Sequence, residues 1–211
     1  MARKKQDLFE KAAKRHPLKT MTWFIIAGIS MLFLTLMILF AQYNPGLQLG
    51  GKTFPVAFYI STALIIGCSF SVEAAWRAFR RENSKKLLDY LLLTMVIAVC
   101  FSVAQYFGWM QLWHSGITLY SVSSNGDAMG SPTGAFLFVI SGLHLLHLAG
   151  GILFLFLAMF KAVNVRGDQV RSVIYFSDRL EKTRIEMLAK YWHYLGALWI
   201  LLFLYFGWFF V

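Results

Sequence analysis

Charge is scarce in this 211-residue chain: only 14% of its residues are charged, and ten Asp and Glu stand against twenty Lys and Arg. A globular domain carries about 25% charged and roughly 45 to 50% apolar residues, whereas this chain is 58% hydrophobic. A solvated surface over the whole molecule is therefore excluded. Cysteine is limited to Cys68 and Cys100, both inside apolar runs and in no metal-ligand spacing, so a disulfide framework and a CxxC centre are excluded and both read as small apolar residues. There is no glycine-rich phosphate loop, no Ser/His/Asp order and no histidine run able to hold haem and copper together. The sequence carries no catalytic constellation of its own.

What it does carry is long apolar runs. A bilayer core about 30 Å thick needs roughly 20 apolar residues as helix, and five windows meet that requirement, at about 20–41, 54–75, 87–110, 134–160 and 191–211. The runs are continuous rather than alternating, and only a helix satisfies every backbone group within one spanning segment. The expected fold is an all-α polytopic membrane bundle of five transmembrane helices, 20–211, after a basic N-terminal segment, 1–19.

The basic residues orient it. Seven precede the first span (Arg3, Lys4, Lys5, Lys11, Lys14, Arg15, Lys19), five separate spans two and three (Arg77, Arg80, Arg81, Lys85, Lys86), and seven separate spans four and five (Lys161, Arg166, Arg171, Arg179, Lys182, Arg184, Lys190). Only Lys52 is left for the other side. The positive-inside rule puts the N-terminus in the cytoplasm and the C-terminus outside, which an odd span count requires as well. The net charge of +10 thus reflects topology and anionic lipid, not nucleic acid. Trp23, Trp76 and Trp192 read as anchors at the inner interface, and Trp109, Trp113 and Trp208 at the outer.

The N-terminal segment mixes Asp7 and Glu10 with its lysines and precedes a run too long for a signal core, so it is not expected to be cleaved. The outer loop Gln111 to Thr133 holds Ser123-Ser124-Asn125-Gly126-Asp127 and Ser131-Pro132, turn chemistry for an extracytoplasmic cap. In the inner loop, Asp178 with Glu181 three residues on forms a capping-box pattern whose following residues extend the last helix inward.

Polar residues at membrane depth are functional candidates. His144, His147 and Gly151 share one face of span four, with Ala149 and Gly150 adding small residues that let a helix approach; His193 shares a face of span five with Gly196 and Ala197. Three readings stand: hydrogen bonds between helices, a proton relay, and axial ligation of haem b or a metal. Histidines at i, i+3 on one helix do not bind opposite faces of one ring, which disfavours ligation by the pair. Glu73, near the inner end of span two, is a candidate intramembrane carboxylate, with Arg77 placed for an i, i+4 ion pair. Gln105 and Asp89 read as a helix contact and an interface group.

Ser141-Gly142-Leu143-His144-Leu145-Leu146-His147-Leu148, followed by Gly150-Gly151, resembles the signature of subunit III of haem-copper oxidases, with its Gly-x-His-x-x-His segment in a late helix. Glu186, Tyr191-Trp192-His193-Tyr194 and Trp199 are similar to the final helix of that family. The resemblance runs back through Gln105-Tyr106-Phe107-Gly108-Trp109 to about Phe54, and five spans match the shorter bacterial form. Leu145 stands where the family often has Gly, and Gly196 where it often has Asp. The family's buried glutamate belongs to an earlier helix than Glu73, so its role does not transfer.

The resemblance implies a non-redox subunit of a proton-pumping terminal oxidase in a bacterial inner membrane. It implies haems and copper in subunit I, which packs beside this chain, with none in the chain itself, and electrons from cytochrome c through subunit II or from quinol. It also implies bound phospholipid, with small subunits or a respiratory supercomplex as further partners. His144, His147, Glu186, Trp192 and His193 would then be structural polar contacts. The rival readings are a haem b-binding membrane anchor of a dehydrogenase and a small secondary transporter; the second lacks internal repeats and Gly/Pro-broken half-helices.

The charge asymmetry predicts that alkaline phosphatase fused after Val211 is active and green fluorescent protein at the same place is dark. The reverse pattern would overturn the orientation.

Overall fold

A computed structural model describes residues 17–43, 54–117, 120–122, 128–130 and 132–210. Five long helices account for most of them: α1 (Pro17–Tyr43), α2 (Val56–Arg80), α3 (Ser84–His114), α4 (Pro132–Val165) and α6 (Arg179–Phe210). All five are long and apolar enough to cross a membrane, so the chain is a helical, multi-pass membrane protein. The basic residues from Arg3 to Arg15, Asp7, Glu10, Lys52 and the run Ser123 to Asp127 lie outside the described residues.

The helices overrun the predicted spans at most of their ends because polar residues at a membrane interface continue a helix once an apolar stretch has nucleated it. The extension is largest in α6, which starts twelve residues before the expected Tyr191. Its start is set by Asp178, whose carboxylate accepts the Leu180 N–H at 2.8 Å. Only half of the anticipated capping box forms, since Glu181 turns instead to Lys161 and Arg184.

Two short elements were not anticipated. The outer loop contains an antiparallel ribbon, β1 (Tyr120–Val122) paired with β2 (Ala128–Gly130). The inner loop contains a two-turn helix, α5 (Gln169–Ser177), capped by Asp168, which accepts from Val170 and Arg171 N–H. Tyr175 and Phe176 anchor α5 against Phe79 at the inner end of α2, with ring centroids 5.5 and 5.2 Å away.

α2 and α3 form an antiparallel hairpin packed along their length. Its buried seam is polar at intervals: Gln105 donates to Ser61 at 3.0 Å, Thr94 to Ser71 at 2.9 Å, and Ser71 to the Tyr90 carbonyl at 3.1 Å. Such bonds contribute only about 0.6 kcal/mol each on average within a membrane, but they define register. Gln105 is the helix contact foreseen from sequence. Cys68 and Cys100 are free thiols, and Cys68 faces the Thr94 carbonyl on the same seam.

α6 is the element that the others meet. It packs against α2, α4, α1 and α5, and hydrogen bonds mark three of those contacts: Trp199 Nε1 donates to Thr62 on α2 at 3.1 Å, Tyr191 to the His147 carbonyl on α4 at 3.0 Å, and Tyr205 to the Met37 carbonyl on α1 at 2.7 Å. At the outer end Phe40, Phe206 and Phe209 close the core in edge-to-face contacts.

Candidate functional site

The two histidine motifs lie on α4 and α6, and those helices pack against each other at Gly151. A Cβ there would meet Tyr191 Cε1 at 3.2 Å, Leu195 Cδ1 at 3.3 Å and Trp192 Cζ2 at 3.5 Å. The backbone of α4 can sit this near α6 only because Gly151 has no side chain. Ala149 and Gly150 were expected to help, yet both are exposed and nothing lies within 4 Å of a Cβ on Gly150. Their positions, two and one residues before Gly151, point away from α6 at the 100° turn of a helix. On α6, Gly196 is buried against α2, where Ser69 Oγ and Ile65 occupy the space beside it, while Ala197 stays exposed.

The close approach seats Trp192 in the core at 1% exposure. Sequence placed this ring at the inner interface as an anchor; instead it fills the volume opened by Gly151, and its Nε1 has no hydrogen-bond partner among the described residues. Trp192 therefore acts through packing, not polarity. Trp23, Trp113 and Trp208 are exposed, and Trp109 is tied to Ser141 at 3.0 Å.

His144 is also 1% exposed, and neither ring nitrogen has a hydrogen-bond partner among the described residues. Its neighbours are rings: Trp199 at 5.4 Å, Phe101 at 6.1 Å and Phe33 at 6.5 Å between centroids. The expected hydrogen bond from His144 to another helix is absent because the facing positions on α1, α3 and α6 are all aromatic. His147, by contrast, brings Nδ1 to 2.6 Å from the Leu143 carbonyl one turn back on its own helix. A carbonyl only accepts, so that contact puts the proton on Nδ1. Phe33 reaches His147 too, at 5.8 Å.

This box is filled with side chains on every side of His144 and has no room for a porphyrin. The haem-anchor reading fails on fit. Among the described residues no group of three or more His, Cys, Asp or Glu is gathered as a metal site would need.

His193 turns the other way, to α2. Its Nε2 lies 3.5 Å from Glu73, whose other oxygen accepts from Arg77 Nε at 3.1 Å. The predicted i, i+4 pair is present, with His193 added across the helix contact. All three side chains are at least one-third exposed, so the cluster contributes at most about 1 kcal/mol. Glu186 joins Lys190 at 2.8 Å and Lys19 of α1 at 3.0 Å, and so links the inner ends of α1 and α6.

Sequence reasoning missed three residues of note. Glu181, with its side chain 11% exposed, holds Lys161 of α4 at 2.7 Å and also Arg184; its position in the capping-box pattern concealed a tie between helices. Tyr175 is buried beneath α2, and burial first, with the Glu181 carboxylate second, pushes its phenol above the ordinary range. No local signal marks either role, since both depend on which helix lies opposite. Phe33 is the third: an unremarkable apolar residue in sequence, it is the ring that α1 sets against both histidines of α4.

No protein-family model matches the chain. Curated proteins do. Cytochrome c oxidase subunit 3 of Schizophyllum commune is 25% identical over 195 residues, covering 86% of this chain and 64% of that protein. The same subunit of Rhipicephalus sanguineus is 23% identical over 177 residues, 80% of this chain and 60% of that one. The "probable quinol oxidase subunit 3" of Staphylococcus saprophyticus is 22% identical over 187 residues, 86% and 83% of the two chains. The chain is thus similar over most of its length, at 22 to 25% identity, to subunit 3 of these oxidases. It spans about 60% of the length of the two cytochrome c oxidase subunits. The resemblance read from the motifs and the relatives found by comparison agree.

An unpartnered polar ring in an aromatic box costs stability rather than adding to it. His144→Phe should leave thermal unfolding in detergent unchanged or raise stability by about 1 kcal/mol, whereas His144→Ala should lower it by about 3 kcal/mol through the cavity it leaves. A loss with Phe as large as with Ala would mean that the ring nitrogens matter.

Proposed function

We propose that this chain is subunit III of a haem-copper terminal oxidase, a non-redox subunit of an aerobic respiratory chain in a bacterial inner membrane. The observation that carries the proposal is the interlock of its two motif helices. The segment Gly142 to Gly151 on α4 and the segment Glu186 to Trp199 on α6 meet through Gly151, through the Tyr191 hydroxyl on the His147 carbonyl, and through His144 on Trp199. Two motifs that are over thirty residues apart in sequence thus form one packed unit, as expected if they identify a fold rather than two separate sites.

In this reading the oxidoreductase chemistry, with its haems and copper, belongs to subunit I packed beside this chain. Electrons arrive from cytochrome c through subunit II. The five-helix bundle supports turnover, proton uptake and lipid binding by the complex, which includes small subunits or a supercomplex. His144, His147 and Trp192 serve as packing groups, and Glu186 and His193 as polar ties at the inner end.

A second reading is subunit III of a quinol oxidase, because one relative matched over 86% of this chain carries the name of a probable quinol oxidase subunit 3.

Affinity purification of the chain from its native membrane in mild detergent should bring a haem-copper subunit, visible by its haem absorbance. Oxidation of reduced cytochrome c or of a quinol by that preparation decides the donor. Recovery of the chain without any haem protein would overturn both readings.

A further inference from the structure

The turn between α2 and α3 gathers positive charge around one small cavity. Glu82 takes a φ of 54°, a left-handed conformation that closes α2, with the Asn83 N–H donating to the Ala78 carbonyl at 3.1 Å. The Asn83 side chain then opens α3 by accepting the Lys86 N–H at 3.0 Å. Against this turn lies a cavity of about 260 Å³ lined by Arg77, Arg81, Asn83, Lys86 and Tyr90 over a floor of alanine. No carboxylate lines it.

What marks this site is that two of the three cations lining its concavity are unpaired, whereas several cations elsewhere are held by carboxylates. Lys161 and Arg184 share Glu181, Lys19 and Lys190 share Glu186, and Arg171 is held by Asp168. Here Arg77 alone is paired, with Glu73, and the side chains of Arg81 and Lys86 form no ion pair among the described residues. Topology alone explains basic residues in an inner loop. It does not explain why three converge on one concavity that excludes acids.

We propose that this cavity binds a phosphate-bearing anion, with phosphate oxygens between the Arg81 guanidinium and the Lys86 ammonium. Arg77, the Asn83 amide and the Tyr90 phenol supply further donors. Arginine offers a planar fork and lysine a point charge, the two modes by which proteins hold phosphate. The volume falls below the roughly 300 to 1,000 Å³ of pockets for drug-sized ligands, which suits one phosphate group rather than a nucleotide. That phosphate comes either from a phospholipid headgroup of the adjoining leaflet or from free phosphate. The site stands independently of the oxidase assignment.

The test uses the full chain with the subunits that copurify, exchanged into lipid-free detergent. It is titrated with short-chain phosphatidylglycerol, short-chain phosphatidylcholine and inorganic phosphate, and bound ligand is read by native mass spectrometry. Each cation near a charged surface contributes enough that losing two should weaken binding about tenfold or more. The wild type is expected to prefer phosphatidylglycerol over phosphatidylcholine, and Arg81→Gln/Lys86→Gln to lose that preference. Arg166→Gln/Arg179→Gln, which removes equal charge from exposed positions elsewhere, should retain it. Phosphatidylglycerol binding that inorganic phosphate does not displace identifies the lipid as the source, and inorganic phosphate binding with the same dependence on Arg81 and Lys86 identifies free phosphate. Equal binding of every ligand by the wild type and the Arg81→Gln/Lys86→Gln protein would overturn the proposal, as would an equal loss in the control variant. Both altered side chains are exposed, and unchanged helical circular dichroism distinguishes lost binding from lost fold.

Discussion

The nearness of α4 to α6 at Gly151 is the constraint on which the rest of the bundle depends. Lipid tails are as apolar as leucine, so helices in a bilayer associate through close packing rather than through a hydrophobic drive. At Gly151 a side chain is missing, and Tyr191, Trp192 and Leu195 take its place. With that contact made, Trp192 is buried, Tyr191 reaches the His147 carbonyl, and Trp199 is brought against His144 on one side and Thr62 of α2 on the other. The positions of three helices therefore follow from one glycine.

The distribution of polar groups follows from the same geometry. Where α2 and α3 face each other, serine, threonine and glutamine meet and bond. Where α4 faces α1, α3 and α6, aromatic rings occupy the opposing positions and His144 goes unbonded. Among the described residues the ion pairs gather at one end of the bundle, where Glu73, Glu181 and Glu186 each hold two partners. This leaves, among the described residues, an apolar middle and a charged rim at one end of the bundle.

Much of this was legible in the residues because the membrane simplifies the problem. Span number and helical state follow from run length and from the need to satisfy backbone groups internally, and all five spans appear where the apolar windows lie. The Glu73 and Arg77 pair was legible because it is local, one turn apart on one helix. The partners of His144 were not. A sequence shows that a histidine shares a face with Gly151, but not that the facing residues are Phe33, Phe101 and Trp199, which come from three other helices. Trp192 was misplaced for the same reason: its depth along the chain suggested an interface, and only the gap at Gly151 draws it inward. The helix α5 escaped notice because nine residues are too few for a convincing period, and its stability comes from Tyr175 and Phe176 against Phe79.

The most direct test of the central contact compares two adjacent glycines. Gly150 and Gly151 sit on the same turn of α4, so leucine at either changes helix propensity equally, yet only Gly151 faces α6. In thermal or denaturant unfolding of the detergent-solubilised protein, Gly151→Leu is predicted to lower stability by about 3 kcal/mol through overpacking, and Gly150→Leu to leave it unchanged or slightly higher. Equal effects of the two substitutions would contradict the account.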